Sequence, residues 1–311
     1  MSFSIGVPVT RVEFLRETLL SIARQTLSPC EVIVIDNGAD GNVAQIVRES
    51  GLAHVRFVKR AVRLPVIENW NLLLKMVKGR WFILLSDDDW LETNHLENLA
   101  KVIATHGSCT VAHVRVRMVG ANGQSLGLSP LAPDWESAID FIWHRVSGFR
   151  TQFISDFAWE TSALTTSGGF PDLPAAWGSD DLAAFTLARQ GGVVYSPLVS
   201  LNYRRHGNSL TGSAGIALKK AGVDELIRRI SLLLPSCPIA DQDQALLAQQ
   251  ILNCLPDMRR RMLAHVLALS TRYALTRYFL SESWGAFDTR LILKTISLRH
   301  AAKSTQYKLQ T

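Results

Sequence analysis

Three consecutive carboxylates, Asp87, Asp88 and Asp89, follow Ser86 directly after the apolar run 81–85. Carboxylates packed this closely repel one another, and aligning them at a strand end costs stability unless a cation offsets the charge. A hard divalent ion with oxygen ligands, Mg²⁺ or Mn²⁺, would do so while bridging substrate phosphates. The plainer alternative is a solvated acidic turn that caps the next helix. A second carboxylate pair, Asp180-Asp181, follows the Gly168-Gly169-Phe170-Pro171 loop. A hydroxyl is a very weak acid, so an enzyme that transfers a group to it needs a positioned carboxylate to take the proton. The pair suits that role as well as it suits capping a helix over 182–189.

Three further places are read in two ways. Asp36-Asn37-Gly38 suits an Asx-turn very well, and the alternative is that Asp36 accepts from the imide N–H of a uracil or thymine ring. In Glu68-Asn69-Trp70-Asn71, Asn69 and Asn71 are poor mid-helix residues. They either cap the helix or help a diphosphate or sugar settle at its N-terminus, where Arg60 and Arg63 add positive charge. Tyr203-Arg204-Arg205-His206-Gly207-Asn208-Ser209 offers an imidazole to a metal and arginines to phosphate, against a merely structural histidine.

The elements that position these residues follow an α/β rhythm over the first hundred residues. Residues 3–9, 31–35, 55–58 and 81–85 read as strands. Helices are expected through Leu15, Leu19 and Ile22, through Val43, Ile46 and Val47, and through Ile67, Trp70, Leu74 and Val77. Thr10-Arg11-Val12-Glu13 has a capping-box pattern. The order implies a mostly parallel, doubly wound sheet, which binds ligands at the carboxyl ends of its strands. Further on, the sequence predicts a helix over 96–103, a strand through Val114, Val116 and Met118, and a turn at Asn122-Gly123. A helix over 134–146, a strand over 191–199 and helix from about 212 to the end complete the reading.

The 311 residues are 47% apolar and 19% charged, as in an ordered globular protein. The net charge of +6 is not evenly spread: residues 256–311 carry +7 and the remainder −1. That split argues against a nucleic-acid groove across the main domain. Arg259, Arg260 and Arg261 precede a stripe of Met262, Val266, Leu269 and Tyr273, a basic amphipathic pattern that suits either an anionic membrane surface or packing on the chain's own domain. Four widely spaced cysteines, the absence of a signal-peptide pattern and the lack of any run of roughly 18 apolar residues point to a cytoplasmic protein without a spanning helix, in reach of the inner face of the membrane.

Taken in order, these pieces resemble the GT-A glycosyltransferases of the inverting family 2, especially bacterial enzymes that build surface polysaccharide and lipopolysaccharide. The resemblance runs from about Ser4 to about Thr211. It rests on Ile5-Gly6-Val7-Pro8, Val32-Ile33-Val34-Ile35-Asp36-Asn37-Gly38, Glu68-Asn69-Trp70-Asn71, Ser86-Asp87-Asp88-Asp89, Gly168-Gly169-Phe170, Asp180-Asp181 and the run from Tyr203. It implies that Pro8 and Thr10 lie beside the nucleoside, that Asp36 reads its base, that Asp88 binds the metal and that Asp181 is the general base. His206 matches a position some relatives use near the metal and diphosphate. Two departures stand out: the chain has Asp36-Asn37 where the family often has two acids, and Ser86 where the metal motif usually begins with Asp. Asp87 or Asp89 is then a candidate to share the metal or donor-ribose contacts, and Asp180, replacing the usual Glu of the pair, is an alternative base.

The expectation is a GT-A catalytic domain over 1–215, with a nucleotide-sugar half to about 120 and an acceptor half beyond it, followed by a helical basic extension over 216–311. It would move a sugar from a UDP- or dTDP-linked donor to a hydroxyl of a glycan or glycolipid, with Mg²⁺ or Mn²⁺. Candidate metal ligands are Asp88, Asp89 and His206. Candidate donor contacts are Pro8, Thr10, Asp36, Arg63, Asn69, Asn71 and Asp87. Phosphoryl or nucleotidyl transfer uses similar strand-end aspartates, but no phosphate-gripping glycine-rich loop is present. A catalytically silent sugar-nucleotide or glycan-binding module is the third reading.

Overall fold

The computed structural model describes residues 1–206 and 215–269. Strand β1 (Phe3–Val9), helix α1 (Leu15–Ala23), β2 (Glu31–Asp36), α2 (Val43–Glu49), β3 (Val55–Lys59), α3 (Val66–Met76) and β4 (Trp81–Leu84) form the expected α/β run. The four strands lie parallel in the order β3-β2-β1-β4. Alternate residues of β2 divide between two layers. Val32 and Val34 pack with Leu15 and Leu19 of α1 and Val43 of α2, while Ile33 and Ile35 pack with Leu73 and Leu74 of α3. Both faces are therefore covered, which is why these strands read as continuous apolar runs.

After β4 come β5 (Trp90–Leu91), α4 (His95–Thr105), β6 (Val111–Gly120), β7 (Ser125–Leu128), β8 (Trp135–Glu136) and α5 (Ala138–Ser147). Then follow β9 (Phe157–Glu160), α6 (Thr161–Thr166), α7 (Ser179–Gly191), β10 (Val193–Arg205), α8 (Ile216–Leu233) and α9 (Gln242–Leu269). The sheet continues β4-β9-β6-β10-β5, with β7 on β6 and β8 on β10. Short strand β9 is antiparallel to both β4 and β6 and joins the two halves of the sheet.

Several boundaries differ from expectation. The helix expected from 134 begins at Ala138, because the Ser137 side chain accepts from the Asp140 amide as its cap and Trp135-Glu136 pairs with β10. The capping box at Thr10 and Glu13 does not form: α1 starts at Leu15 with no side-chain cap, and Thr10 bonds to Asp87 instead. Strand β10 runs on to Arg205, so Arg204 belongs to the sheet. All four cysteines are free.

The C-terminal helices pack on the sheet's own helices, α9 against α5 and α8, and α8 against α7. Of the basic amphipathic stripe, Val266 is fully buried in a cluster with Val223, Leu263 and Leu267, and Met262 packs against it. The stripe thus turns inward as far as it is described; Tyr273 lies outside the described residues. Among these residues no helix is long and apolar enough to cross a membrane. Helix α8 sits at close quarters on the turn Pro174–Ala176: a Cβ added to Gly222 would lie 2.3 Å from the Pro174 carbonyl oxygen and 2.9 Å from Trp177 Cβ. Substituting Gly222→Ala should therefore push α8 off this turn and cost about 1–3 kcal/mol, the usual penalty of overpacking. Denaturant unfolding of the variant beside the parent chain measures it, and an unchanged midpoint would show that the contact gives way freely.

Candidate active site

A cleft of about 700 Å³ opens at the carboxyl ends of β1 and β4. Pro8 lines it from the end of β1, Thr10 and Arg11 from the loop after it, Ser86, Asp87 and Asp88 from the segment after β4, and Val66, Ile67 and Trp70 from α3. Asp180 and Asp181 enter from the first turn of α7, Tyr203 from β10, and Lys219, Arg261 and His265 from the C-terminal helices. The two carboxylate clusters of the sequence thus share one cavity.

The three adjacent aspartates are separated by their partners. Asp87 Oδ2 accepts from the backbone N–H groups of Thr10 (2.7 Å) and Arg11 (2.9 Å) and from the Thr10 hydroxyl (3.2 Å). Burial, and then the charge of Asp88, raise its carboxyl above the ordinary range despite these donors. Asp89 is buried away from the cleft lining. Its Oδ1 accepts from the Arg204 amide at 2.9 Å, its Oδ2 has no hydrogen-bond partner, and desolvation pushes its carboxyl well up. Asp88 remains at the cleft surface, with Oδ2 2.8 Å from His206 Nε2 and 3.6 Å from the Arg11 guanidinium.

The buried guanidinium of Arg204 holds this arrangement. It lies over the rings of Phe14 (4.2 Å) and Trp90 (4.5 Å), a geometry in which a cation is attracted to the ring faces. It donates to the Asp88 carbonyl (3.0 Å) and the Ala121 carbonyl (2.7 Å) and pairs with Glu17. The sequence reading gave Arg204 only a generic phosphate role; its inward direction follows from the unexpected length of β10.

The acidic pair is asymmetric. Asp181 is 2% exposed and receives a bidentate pair from Arg145, Nε to Oδ1 at 2.9 Å and Nη2 to Oδ2 at 2.8 Å; Gln152 also donates to Oδ1. Neither is the helix cap: that position is Gly178, in the left-handed region with no side-chain bond. Burial, and then the neighbouring Asp181 charge, push the Asp180 carboxyl up to about 7. Arg145 and Gln152, which clamp Asp181, carry no local signal in the sequence.

The remaining donor-side candidates divide. Pro8 and Thr10 line the cleft. Asp36 forms the Asx-turn, its Oδ1 accepting from the Gly38 (3.2 Å) and Ala39 (3.0 Å) amides; it does not line the cleft, nor do Arg63, Asn69 or Asn71. Asn71 instead clamps the glycine loop, donating to the Phe170 carbonyl (2.9 Å) and accepting from its amide (2.8 Å). Asn69 is 2% exposed with an unpartnered Oδ1. Asn37 exchanges two hydrogen bonds with the Leu64 backbone, at 3.0 and 2.8 Å, and so fixes the approach to α3.

Among the described residues no three His, Cys, Asp or Glu side chains gather around a common point. Asp87 lines the cleft but its Oδ2 is taken by three donors, which leaves Asp88, also on the lining, with the His206 imidazole beside it. Such a pair fits Mg²⁺ or Mn²⁺ of the kind that completes its shell from substrate phosphates and water. Asp89, with its carboxylate beneath the cleft, is not part of that pair.

Residues 4–157 match the family model described as Glycosyl transferase family 2. The chain is 31% identical over 101 residues to an uncharacterized glycosyltransferase, YwdF, of Bacillus subtilis (strain 168), a stretch covering 32% of this chain and 37% of that protein. It is 29% identical over 105 residues to glycosyltransferase GlyA of Streptococcus pneumoniae serotype 4, covering 33% and 15%. The matched stretch thus spans well under half of either relative. Among solved structures, S. aureus TarS 1-349 in complex with UDP-GlcNAc superposes with a TM-score of 0.64 at 17% identity, over 99% of this chain and 92% of that one. The same protein with UDP gives 0.61 at 16%, over 100% and 92%. At these identities the likeness is one of fold.

The Asp87 contacts predict a structural phenotype. An Asp87→Asn variant keeps one accepting oxygen but brings an amide against the Thr10 and Arg11 N–H groups whenever it flips. It should lose about 1–3 kcal/mol, the cost of leaving buried donors unsatisfied. Thermal or denaturant unfolding reads this, and a parent-like midpoint would remove Asp87 from the frame of the site.

Proposed function

Because its residues 4–157 place this chain in glycosyltransferase family 2 and its sheet has the GT-A fold, we propose that it transfers a sugar from a UDP- or dTDP-linked donor to a hydroxyl of a glycan or glycolipid, with inversion. The observation that carries the reading is the single cleft into which the strand-end Asp88 and the pair Asp180-Asp181 all open. That a solved neighbour holds UDP-GlcNAc supports a nucleotide-sugar donor. Incubation with a panel of nucleotide sugars, with free sugar and nucleotide diphosphate separated as products, tests it; no turnover or binding of any nucleotide sugar would overturn it.

In this reading the donor lies along Pro8 and Thr10, with its diphosphate toward Asp88 and Arg11. A divalent ion at Asp88 and His206 would supply Lewis-acid stabilisation of the departing diphosphate. Arg11, already 3.6 Å from Asp88, adds a fixed positive charge at the same end. The acceptor hydroxyl approaches from the opposite side and gives its proton to the acidic pair. We assign the proton to Asp180. Both oxygens of Asp181 are occupied by Arg145 and Gln152, whereas a carboxyl pushed up to about 7 combines enough ionised form with real basicity near neutral pH. Asp181, clamped by Arg145, is then the neighbouring charge that helps raise Asp180.

Excess chelator should abolish most donor turnover, and Asp88→Ala should weaken nucleotide-sugar affinity with little effect on unfolding; full activity in chelator would remove the metal. Transfer should also rise with pH through about 7 as Asp180 ionises. The same group has the opposite effect on stability: its folded pKa lies above the unfolded value, so its contribution is complete below about pH 4 and is lost as pH climbs toward 7. Asp180→Asn should flatten both profiles and lower transfer about a hundredfold to ten-thousandfold while the fold stays intact. Asp181→Asn, by contrast, leaves Arg145 without its partner and should cost about 3–5 kcal/mol of stability. Parent-like transfer by the Asp180 variant in a single-turnover assay would return the base to Asp181.

A further inference from the structure

The C-terminal helices line part of the cleft: α8 contributes Lys219, and α9 contributes Arg261 and His265 together with Met258 and Met262, in the same lining as Trp177. Lys219 is 2% exposed, and its ammonium lies 5.8 Å from the centroid of the Trp177 ring. The His265 ring lies 6.3 Å from the same ring. Lysine is almost never so deeply buried unless it is paired. Among the described residues no carboxylate lies within ion-pair distance of Lys219.

The contrast with its neighbours is informative. Lys220 lies 3.8 Å from Asp224, Arg259 lies 2.6 Å from Asp224, and Arg260 pairs with Asp257. Arg261, on the cleft lining, donates to the Val146 carbonyl and, among the described residues, forms no close ion pair with a carboxylate. On each helix, then, these cations away from the cleft have a carboxylate in ion-pair contact, while the lysine or arginine on its lining has none among the described residues; Asp257 acts on Arg261 only from a distance. Desolvation lowers the Lys219 ammonium and the Arg261 guanidinium. Desolvation, and then the charges of Arg205, Arg145 and Lys219, lower the His265 imidazole. The wall is one of like charge, held in a partly desolvated place where an unpaired cation costs most. The acids at the strand end have their own cation in Arg11, and Asp181 has Arg145.

We propose that this wall is a subsite for an oxyanion on the acceptor, a phosphate or carboxylate bound by Lys219 and Arg261 with a hydrogen bond from His265, while Trp177 offers its ring to the sugar alongside. Calling the ligand an acceptor rests on the glycosyltransferase reading; the binding of an oxyanion here does not. The anion is carried either by a glycan or by a lipid phosphate, and the two are separated by the probes.

The full chain, first saturated with UDP or dTDP and Mg²⁺, is titrated calorimetrically with glucose, glucose 6-phosphate and dihexanoyl phosphatidate, and with inorganic phosphate. Saturable binding is expected for at least one phosphate-bearing organic probe, about tenfold or more tighter than for glucose, as one charge-assisted contact provides. Binding should fall about tenfold in Lys219→Met and in Arg261→Met and return in Lys219→Arg. Tighter binding of the sugar phosphate identifies a glycan carrier, and tighter binding of the phosphatidate a lipid one; either supports the subsite. Equal binding of glucose and all phosphate probes, displacement of phosphate by the nucleotide, or parent-like binding by both Met variants would overturn it. A chain that binds no nucleotide would sink the glycosyltransferase reading while leaving the phosphate titrations readable.

Discussion

Three carboxylates in succession at the end of β4 cannot share one environment, and the site is built around their separation. Asp87 takes its donors from the β1–α1 loop and Asp89 takes the Arg204 amide from β10. The two outer acids therefore fasten β4 to its structural neighbours on either hand. Of the three, Asp89 is withdrawn from the cleft, Asp87 lines it with its Oδ2 already taken, and Asp88 has the imidazole of His206 beside it. Arg204 makes this possible, since its guanidinium is caught between Phe14 and Trp90 and reaches the Asp88 carbonyl. Burial and mutual repulsion raise the Asp87 and Asp89 carboxyls, so these separate partners offset a cost that the bare turn would carry.

What the sequence made legible is what local chemistry dictates. The strands β1 to β4 and their helices follow from apolar runs and periodicity, and the strand-end position of Asp88 follows from the parallel order. The pairing of β9 with β4 and β6 was not legible, because four residues, Phe157-Ala158-Trp159-Glu160, have no alternation long enough to announce a central strand. The roles of Asn71 and Asp181 were open for a different reason. Asn71 meets Phe170 across 99 residues of chain, and Asp181 meets Arg145 across 36, so no spacing rule joins them. The stripe on α9 shows a third limit: an amphipathic pattern says that one face is covered but not by what, and Val266 turns out to be covered by Val223.

The acidic pair illustrates how a carboxyl is tuned by its surroundings. Burial and the Asp181 charge drive the Asp180 carboxyl up, while Arg145 and the backbone N–H groups of the first turn of α7 draw it down. A helix N-terminus favours negative charge, so the balance settles near neutrality instead of leaving the group a permanent acid. The segment before that helix is not relaxed. Ala175 and Ala176 lie at φ 58° and 53°, a left-handed conformation that costs an alanine about 1 kcal/mol or more and persists only where its surroundings over-determine it. Those surroundings are α8, pressed through Gly222 against Pro174, and Leu226, on which Gly178 closes so tightly that a Cβ there would lie 2.5 Å from its Cδ2. The helix that carries Lys219 is therefore the same one that holds the turn leading into Asp180. The cleft wall that carries Lys219 and the turn that leads into Asp180 thus share one mechanical support, residues 216–233.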